Sequence, residues 1–377
     1  MVVLFFIFIC MILKFKANNN SKDSILSFKK YNYSLDEISN NSTIKKKNLI
    51  LGVIKQYKWE VVAPFFISFK KAGFNNCDCV IFVEDITNET INIIKNFNVT
   101  VIKIKKIIQA NIINYRYKLY EDYLRNNLDK YKLVLAIDIR DSFFQEDIFK
   151  YYQNNKSFLL LTMEDDYLTQ GTNKIWLIHA FGNNIYKTIE NERIICSGTI
   201  LGSANKFLEF TSMIWKTANT NNISRDTWND QAIVNYLVYH KLFLHDSIVK
   251  NQNKDSLILT LACANKSNFL IDPEDNILNG KGEIAPVIHQ YDRHSNIVIK
   301  VLNKYCPELL KNKRNNIAML KRGDIAKTKA YIFIIFIVIL LKFIKIINYK
   351  YKDKDRKIKF IFLVKKAGGS LYNICFK

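Results

Sequence analysis

The chain has 377 residues, which is enough for one large domain or two small ones with a sizeable core. A formal net charge of +22 would suit nucleic acid or an anionic membrane, but the lysines are mostly scattered along the chain, so the charge alone is weak evidence for a nucleic-acid-binding surface. The seven cysteines lack the paired spacing of a zinc site or of a small disulfide-rich domain.

The first predicted element is an uninterrupted apolar run at residues 2–13. It is shorter than the ~20 residues that a membrane-spanning helix needs, but it has the length of a signal-peptide core. We therefore predict that residues 1–17 are either an uncleaved signal anchor or a cleaved signal peptide. Residues 18–47 are rich in Asn, Ser and Lys, a composition that predicts a polar stem or linker unable to fold alone.

From residue 48 the patterns of strand and helix alternate. Strands are predicted at Leu49–Ile54, Cys79–Val83 and Val99–Ile104, with helices over 58–72 and 84–96 between them. This order predicts a parallel sheet with crossover helices. The first strand is followed by Lys55-Gln56-Tyr57 instead of a glycine-rich dinucleotide loop, which argues against a dehydrogenase.

The alternation continues in the second half of the domain. We predict helices over 111–130, 143–152 and 229–242, and strands at Leu133–Ile137 and Phe158–Thr162. Residues 48–300 are therefore predicted to form a single α/β, Rossmann-like domain with a mainly parallel central sheet, flanked by hydrophobic terminal segments. Beyond it we predict a helical or linker segment at 301–330, a transmembrane or interfacial helix at 331–347 and a basic tail at 348–377.

Two short segments carry residue types suited to a ligand site. Asp138, Arg140 and Asp141 follow the apolar strand that ends at Ile137, and two carboxylates at a strand end can hold a divalent cation. Acidic residues in this position also serve as helix N-caps, and Arg140 could contact a phosphate or pair with a neighbouring carboxylate. Further on, Ser197-Gly198-Thr199 would allow a close approach of backbone to ligand, or form a tight turn before a helix.

Two later segments add a carboxylate and a histidine. Asp230 opens an amphipathic helix, where it could cap the helix or contact an acceptor hydroxyl. His289 and His294 lie beside Asp292 and Arg293, and a neutral imidazole is a good third ligand for a metal such as Mn²⁺.

In combination and in this order, the four segments resemble those of eukaryotic GT-A-type glycosyltransferase-like proteins. That group shares D-x-R-D-x-x-F-Q, C-S-G-T-x-x-G, D-Q-x-x-x-N-Y-L and H-Q-Y-D-R-H segments. The corresponding segments here are Asp138–Gln145, Cys196–Thr199, Asp230–Leu237 and His289–His294. No single segment would suffice for the resemblance, which covers about 250 residues.

The resemblance implies a GT-A fold, a nucleoside-diphosphate sugar as donor and a divalent cation, with Mn²⁺ expected. It carries over Asp138 and Asp141 as metal or ribose ligands, His289 as the third metal ligand, and Asp230 as the catalytic or acceptor-side carboxylate. The implied donor contacts are Asp138, Arg140, Asp141, Ser197, Gly198 and Arg293. The D-x-R-D spacing departs from the familiar D-x-D and leaves metal dependence open. An inverting enzyme would need a carboxylate base such as Asp230, whereas a retaining one could use the donor phosphate.

The expected function is thus transfer of a sugar to a hydroxyl of a glycan, glycoprotein or glycolipid, at a membrane of the Golgi or endoplasmic reticulum and with no nucleic acid as partner. Several Asn-x-Ser/Thr sequons suit a lumenal domain: Asn32, Asn41, Asn88, Asn98, Asn155, Asn222 and Asn265. Two alternatives stay open. One is a catalytically degenerate, membrane-tethered GT-A-like binding protein, and the other, suggested by the charge, is a nucleic-acid-binding protein.

Overall fold

The computed structural model describes residues 45–105, 111–155, 157–221, 223, 229–243, 248–264 and 266–312. The predicted signal segment 1–17, nearly all of the stem 18–47, the apolar segment 331–347 and the basic tail 348–377 lie outside the described residues. Among the helices that are described, none has the length and apolar character required to cross a membrane.

Strands and helices alternate through the first half of the domain, close to the predicted boundaries. The strands are β1 Lys47–Lys55, β2 Cys77–Glu84, β3 Val99–Lys103, β4 Tyr131–Ile137, β5 Ser142–Phe144, β6 Leu159–Tyr167, β7 Arg193–Ser203, β8 Ile248–Gln252, β9 Ile258–Thr260, β10 Phe269–Ile271, β11 Ile277–Asn279 and β12 Val287–His289. The helices are α1 Trp59–Lys71, α2 Asn88–Lys95, α3 Ile112–Arg125, α4 Gly171–Ile189, α5 Ala204–Thr220, α6 Asp230–Tyr239 and α7 Ser295–Tyr305.

The central sheet has seven strands in the order β3-β2-β1-β4-β7-β6-β8. All neighbouring pairs are parallel except those of β7, which runs antiparallel to β4 and to β6. The predicted α/β class with a mostly parallel sheet is therefore confirmed, and the arrangement is compatible with a Rossmann-like domain. Near-continuous apolar runs such as Leu49–Leu51 and Leu133–Ile137 suit strands that are covered on both faces.

Helices cover both faces of this sheet. Leu49 and Leu51 of β1 belong to a core shared with α3, α4, α5 and α6, whereas Ile50 and Ile54 belong to a core shared with α1 and α2. The division follows from the two-residue period of a strand, which sends neighbouring side chains to opposite faces. The result is a three-layer sandwich with a large apolar core on each side of the sheet.

A smaller sheet extends the fold beyond the seven strands. In it β12 lies between β5, to which it is antiparallel, and β9, to which it is parallel. Helix α7 packs on this sheet through Ile297, Val298, Val301 and Leu302, all of them buried. The described fold thus continues past residue 300, as a third core between the small sheet and α7.

One of the predictions about local structure is wrong. Residues 143–152 are not a helix: β5 is followed by a short 3-10 helix at Ile148–Tyr151. The reason is that Phe143 and Phe144 are buried in two different cores on opposite sides of β5, which requires an extended backbone. Of the two alternatives for Ser197-Gly198-Thr199, the tight turn before a helix is not observed, because these residues lie within β7, which continues to Ser203 before α5 begins.

Successive strands are added to the sheet in one direction up to β3 and in the opposite direction from β4, so the switch point lies between β1 and β4. From β1 the chain moves outward to β2 and β3, and it then returns to add β4 on the other side of β1. Ligands of open α/β sheets bind outside the carboxyl ends of the strands at such a switch point. The carboxyl end of β4, which Asp138 follows directly, is therefore at the position where a ligand is expected to bind.

Candidate metal centre

Two carboxylates follow the end of β4. The backbone N–H of Asp138 donates to the carbonyl of Gly198 at 2.9 Å, which continues the pairing of β4 with β7 by one residue. Asp141 comes immediately before β5, and its side chain is 3% exposed compared with 36% for Asp138. One carboxylate is therefore buried, while the other is partly exposed beyond the carboxyl end of β4.

His289 joins these carboxylates from a distant part of the chain. It is the last residue of β12, where it is paired with Ser142 of β5 and so lies beside Asp141. Its Nε2 lies 3.6 Å from Oδ2 of Asp138 and 3.7 Å from Oδ1 of Asp141. Among the described residues this buried nitrogen has no hydrogen-bond partner. An unsatisfied buried nitrogen facing two carboxylates is the arrangement expected of a ligand position.

The three side chains form a cluster that could hold a metal ion. One donor atom from each of Asp138, Asp141 and His289 lies within 4.8 Å of the other two. Two carboxylate oxygens and an imidazole nitrogen suit divalent ions of intermediate hardness, Mn²⁺ among them. The three ligands predicted from the sequence are therefore brought together.

The charged groups around the cluster shift the pKa values of His289 and Asp138 in opposite directions. Burial acts to lower the pKa of His289, but Cys196, Asp138 and Asp141 outweigh it and raise the pKa well above its ordinary value. Burial acts to raise the pKa of Asp138, but Arg116 and His289 outweigh it and hold that pKa below its usual range. The two carboxylates therefore concentrate negative charge around Nε2 of His289, and a cation at that position would be stabilised by the same charge.

Arg116 of α3, which the sequence analysis missed, is the central cation of the site. Its buried guanidinium pairs with the carboxylate of Asp138 and, at 2.6 Å, with Oδ2 of Asp230. It also donates to the backbone carbonyl of Ser197 at 3.0 Å. One side chain therefore links the predicted metal ligand to the predicted catalytic carboxylate.

Asp230 is held from two sides. Besides the pair with Arg116, its Oδ2 accepts a hydrogen bond from the hydroxyl of Ser197 at 2.9 Å. Burial raises the pKa of Asp230, although Arg116 acts in the opposite direction. Of the two alternatives for Asp230, capping of α6 is not observed, because Asp230 is the first residue of the helix and Asn229 occupies the N-cap position.

The segment that carries Ser197 departs from regular sheet pairing. Leu161 of β6 pairs with Ile200 of β7, whereas Met163 pairs with Ile195, so β7 has extra residues between the two pairs. Side chains of α6 bind the backbone freed by this bulge. Asn235 accepts from the N–H of Ile195 at 2.8 Å and donates to its carbonyl at 2.9 Å, and Gln231 accepts from the N–H of Ser197 at 3.3 Å.

Gly198 lies directly against the cluster. A Cβ atom at this position would be 2.3 Å from Cε1 of His289 and 2.9 Å from Oδ2 of Asp138. Only glycine allows β7 to approach the two predicted ligands so closely.

We expect Gly198→Ala to destabilise the fold by about 1–3 kcal/mol through overpacking and to weaken Mn²⁺ binding, because His289 and Asp138 must move apart. Isothermal titration of the full-length protein with Mn²⁺ would measure the affinity. The matched control is Gly202→Ala on the same strand, where a Cβ would be 2.8 Å from the carbonyl of Phe158. Unchanged Mn²⁺ affinity in Gly198→Ala would contradict this account of the glycine.

The two other predicted basic contacts are held by an aspartate. Arg140 pairs with Oδ2 of Asp292 at 2.6 Å, and Arg293 pairs with Oδ1 of the same residue. Arg293 also lies 3.2 Å from Oδ2 of Asp141. The two guanidinium groups and the carboxylates of Asp292 and Asp141 thus form one ionic network beside the cluster.

Sequence comparison does not assign the chain to a family. No protein-family model and no curated protein matches the chain. The GT-A likeness therefore remains a resemblance carried by four segments.

One signal in the sequence could have revealed Arg116. The chain uses lysine for nearly all of its positive charge and has only nine arginines among 56 basic residues. Three of the nine, Arg116, Arg140 and Arg293, lie in ion pairs at this site. An arginine provides a planar fork for carboxylates that lysine lacks, so the few arginines of a lysine-rich chain are candidates for such ion pairs.

Proposed function

We propose that the protein is a glycosyltransferase that moves a sugar from a nucleoside-diphosphate donor to a hydroxyl acceptor at a membrane of the secretory pathway. The observation that carries the proposal is the cluster of Asp138, Asp141 and His289 at the carboxyl end of β4. A diphosphate leaving group needs concentrated positive charge, and the switch point of an open sheet is where such a ligand binds.

A divalent cation held by Asp138, Asp141 and His289 would neutralise the charge that develops on the departing diphosphate. Asp141 and His289 are nearly fully buried, so their positions are set by packing before any ligand arrives. The ionic network keeps Arg140 and Arg293 beside the cluster, where their donor contacts remain part of the proposal. Ser197 and Gly198 line the same side of the site from β7.

Asp230 is the carboxylate we assign to the acceptor side. Burial raises its pKa despite the opposing effect of Arg116, and a base whose pKa lies closer to neutral pH accepts a proton more effectively. The hydroxyl of Ser197 and the guanidinium of Arg116 both donate to Oδ2 of Asp230, and these two hydrogen bonds fix the orientation of the carboxylate.

A second function is favoured by a specific contact. The guanidinium of Arg116 forms ion pairs with Asp138 and Asp230, and so provides a positive charge at the site without a metal ion. A protein that binds a nucleotide or sugar without metal and without turnover would be consistent with this pairing. This alternative is a GT-A-like binding protein that has lost catalysis.

Thermal unfolding of the full-length protein with Mn²⁺ and a panel of nucleoside diphosphates distinguishes the two functions. For the transferase we expect one nucleotide, together with Mn²⁺, to raise the midpoint by ~5–10 °C at about 100 times its dissociation constant. The shift should disappear in Asp138→Asn, which removes a ligand charge. Asp255→Asn is the control, since Asp255 is an exposed aspartate paired with Lys281.

Each outcome separates the proposals. A shift that requires Mn²⁺ and Asp138 supports the transferase and identifies the donor class. A shift of equal size without Mn²⁺ favours the binding protein, and no shift with any nucleotide rules out the proposed donor site.

A further inference from the structure

The imidazole of His289 can present a lone pair to a cation from only one of its nitrogens, and which one depends on where its hydrogen is. A neutral ring carries one hydrogen, on Nδ1 or on Nε2. The nitrogen that faces Asp138 and Asp141 is Nε2, so binding in the cluster requires the hydrogen on Nδ1. The groups around Nδ1 therefore decide whether the cluster is ready to bind.

Two groups lie near Nδ1 of His289. The hydroxyl oxygen of Thr260 is 3.3 Å away and Sγ of Cys196 is 3.5 Å away. A thiol is a weak hydrogen-bonding group in either direction, so the hydroxyl has the stronger influence. A threonine hydroxyl can donate or accept, and its effect on His289 depends on where its own hydrogen points.

The hydrogen of Thr260 is directed away from His289. Its Oγ1 lies 2.7 Å from Oε1 of Gln290, and the backbone N–H of Ala262 points to the same Oε1 at 3.3 Å. Because a backbone N–H can only donate, the atom of Gln290 that faces it must be the acceptor oxygen rather than the amide nitrogen. Thr260 then donates its single hydrogen to Gln290, which is closer and a stronger acceptor than Sγ of Cys196 at 3.6 Å. With either acceptor, only lone pairs of Thr260 remain for His289.

The backbone around Thr260 is fixed on both sides. The register of β9 and β12 pairs Thr260 with His289, and the N–H of Leu261 donates to the carbonyl of His289 at 2.9 Å. On the other side the buried amide of Asn253 accepts from the N–H of Thr260 at 2.8 Å and donates to its carbonyl at 2.7 Å. The hydroxyl is therefore held in place by the sheet and does not depend on a mobile side chain.

We propose that Thr260 and Gln290 are positioning residues that hold His289 with its hydrogen on Nδ1, so that the Nε2 lone pair faces Asp138 and Asp141. In the opposite tautomer, lone pairs of Thr260 and His289 would face each other in a buried site. Neither carboxylate forms a hydrogen bond that would hold a hydrogen on Nε2, because both lie beyond hydrogen-bond distance of that nitrogen. This inference rests on the metal site of the proposed function, and it adds the chain of hydrogen bonds that prepares the site.

The test combines the position of the hydrogen with metal affinity. Nitrogen NMR of full-length protein labelled with ¹⁵N-histidine reports which ring nitrogen carries the hydrogen in the neutral, metal-free ring, and His289→Gln assigns the signal. We expect Nδ1–H in the native protein and its loss in Thr260→Val. Titration with Mn²⁺ alone should show affinity reduced by about 10- to 100-fold in Thr260→Val, as is typical when an outer partner of a ligand histidine is removed.

Two variants isolate the hydroxyl. Thr260→Ser keeps it and should bind Mn²⁺ with affinity of the same order as the native protein. Thr162→Val removes another fully buried threonine hydroxyl, one that has no hydrogen-bond partner among the described residues, and should leave tautomer and affinity unchanged.

Failure of this inference differs from failure of the proposed function. If the native ring carries its hydrogen on Nε2, or if Thr260→Val leaves the tautomer or the Mn²⁺ affinity unchanged, the inference is overturned. If the native protein binds no Mn²⁺ but shows Nδ1–H that depends on Thr260, the positioning stands and the metal-dependent function fails.

Discussion

Replacing Arg116 with methionine should lower the free energy of unfolding by about 3–5 kcal/mol, the cost expected when one member of a buried ion pair is removed. The side chains of Arg116 and Asp230 are 10% and 8% exposed, so water has little access to the Asp230 carboxylate that would lose its partner. Methionine fills a similar volume, which makes the lost charge, rather than a cavity, the main cause. Urea denaturation of the two proteins measures the difference.

The control substitution lies on the same helix. Arg125→Met removes an arginine whose side chain is 57% exposed and pairs with Glu121 one turn earlier. Exposed pairs of this kind contribute only ~0.2–0.5 kcal/mol, so Arg125→Met should be nearly neutral. Equal losses for the two variants would show that helix α3, and not the ion pairs of Arg116, is what the substitutions disturb.

Replacing Asp230 with asparagine should reduce the rate of sugar transfer by about 100- to 10,000-fold, the range attributed to a positioned acid or base. The substrate for the assay is the nucleotide sugar whose nucleotide stabilises the protein most, and the measurement is release of the nucleoside diphosphate. Asparagine has the same shape and can still accept from Ser197, so the loss should come from charge. Mn²⁺ affinity should stay close to the native value, because Asp230 is outside the cluster.

Asp129→Asn serves as the control for this experiment, since Asp129 is an exposed aspartate at the other end of β4. Transfer at the native rate in Asp230→Asn would show that another carboxylate, or the donor phosphate itself, acts as the base. A parallel loss of Mn²⁺ affinity would instead place Asp230 in the metal site.

Local sequence patterns predicted most of the central sheet because each pattern is complete within a few residues. The run Leu133–Ile137 is apolar at every position, and a strand covered on both faces needs no more information than that. The failure at Ser142–Phe144 has the opposite cause. Whether Phe143 and Phe144 lie on one face of a helix or on two faces of a strand depends on which cores surround them, and those cores come from distant residues.

The site divides in the same way between what the sequence determined alone and what the tertiary structure decided. Residue type and the resemblance of the four segments together nominated Asp138, Asp141 and His289, because carboxylates at a strand end and a histidine are side chains that bind a divalent cation. Only the fold showed that Arg116 joins Asp138 to Asp230, or that the hydroxyl of Thr260 lies beside Nδ1 of His289. The residues in these contacts are 22 to 114 positions apart in the sequence, and strand register and helix packing bring them together. A local sequence pattern spans only a few residues, so it cannot predict which distant side chains will be in contact.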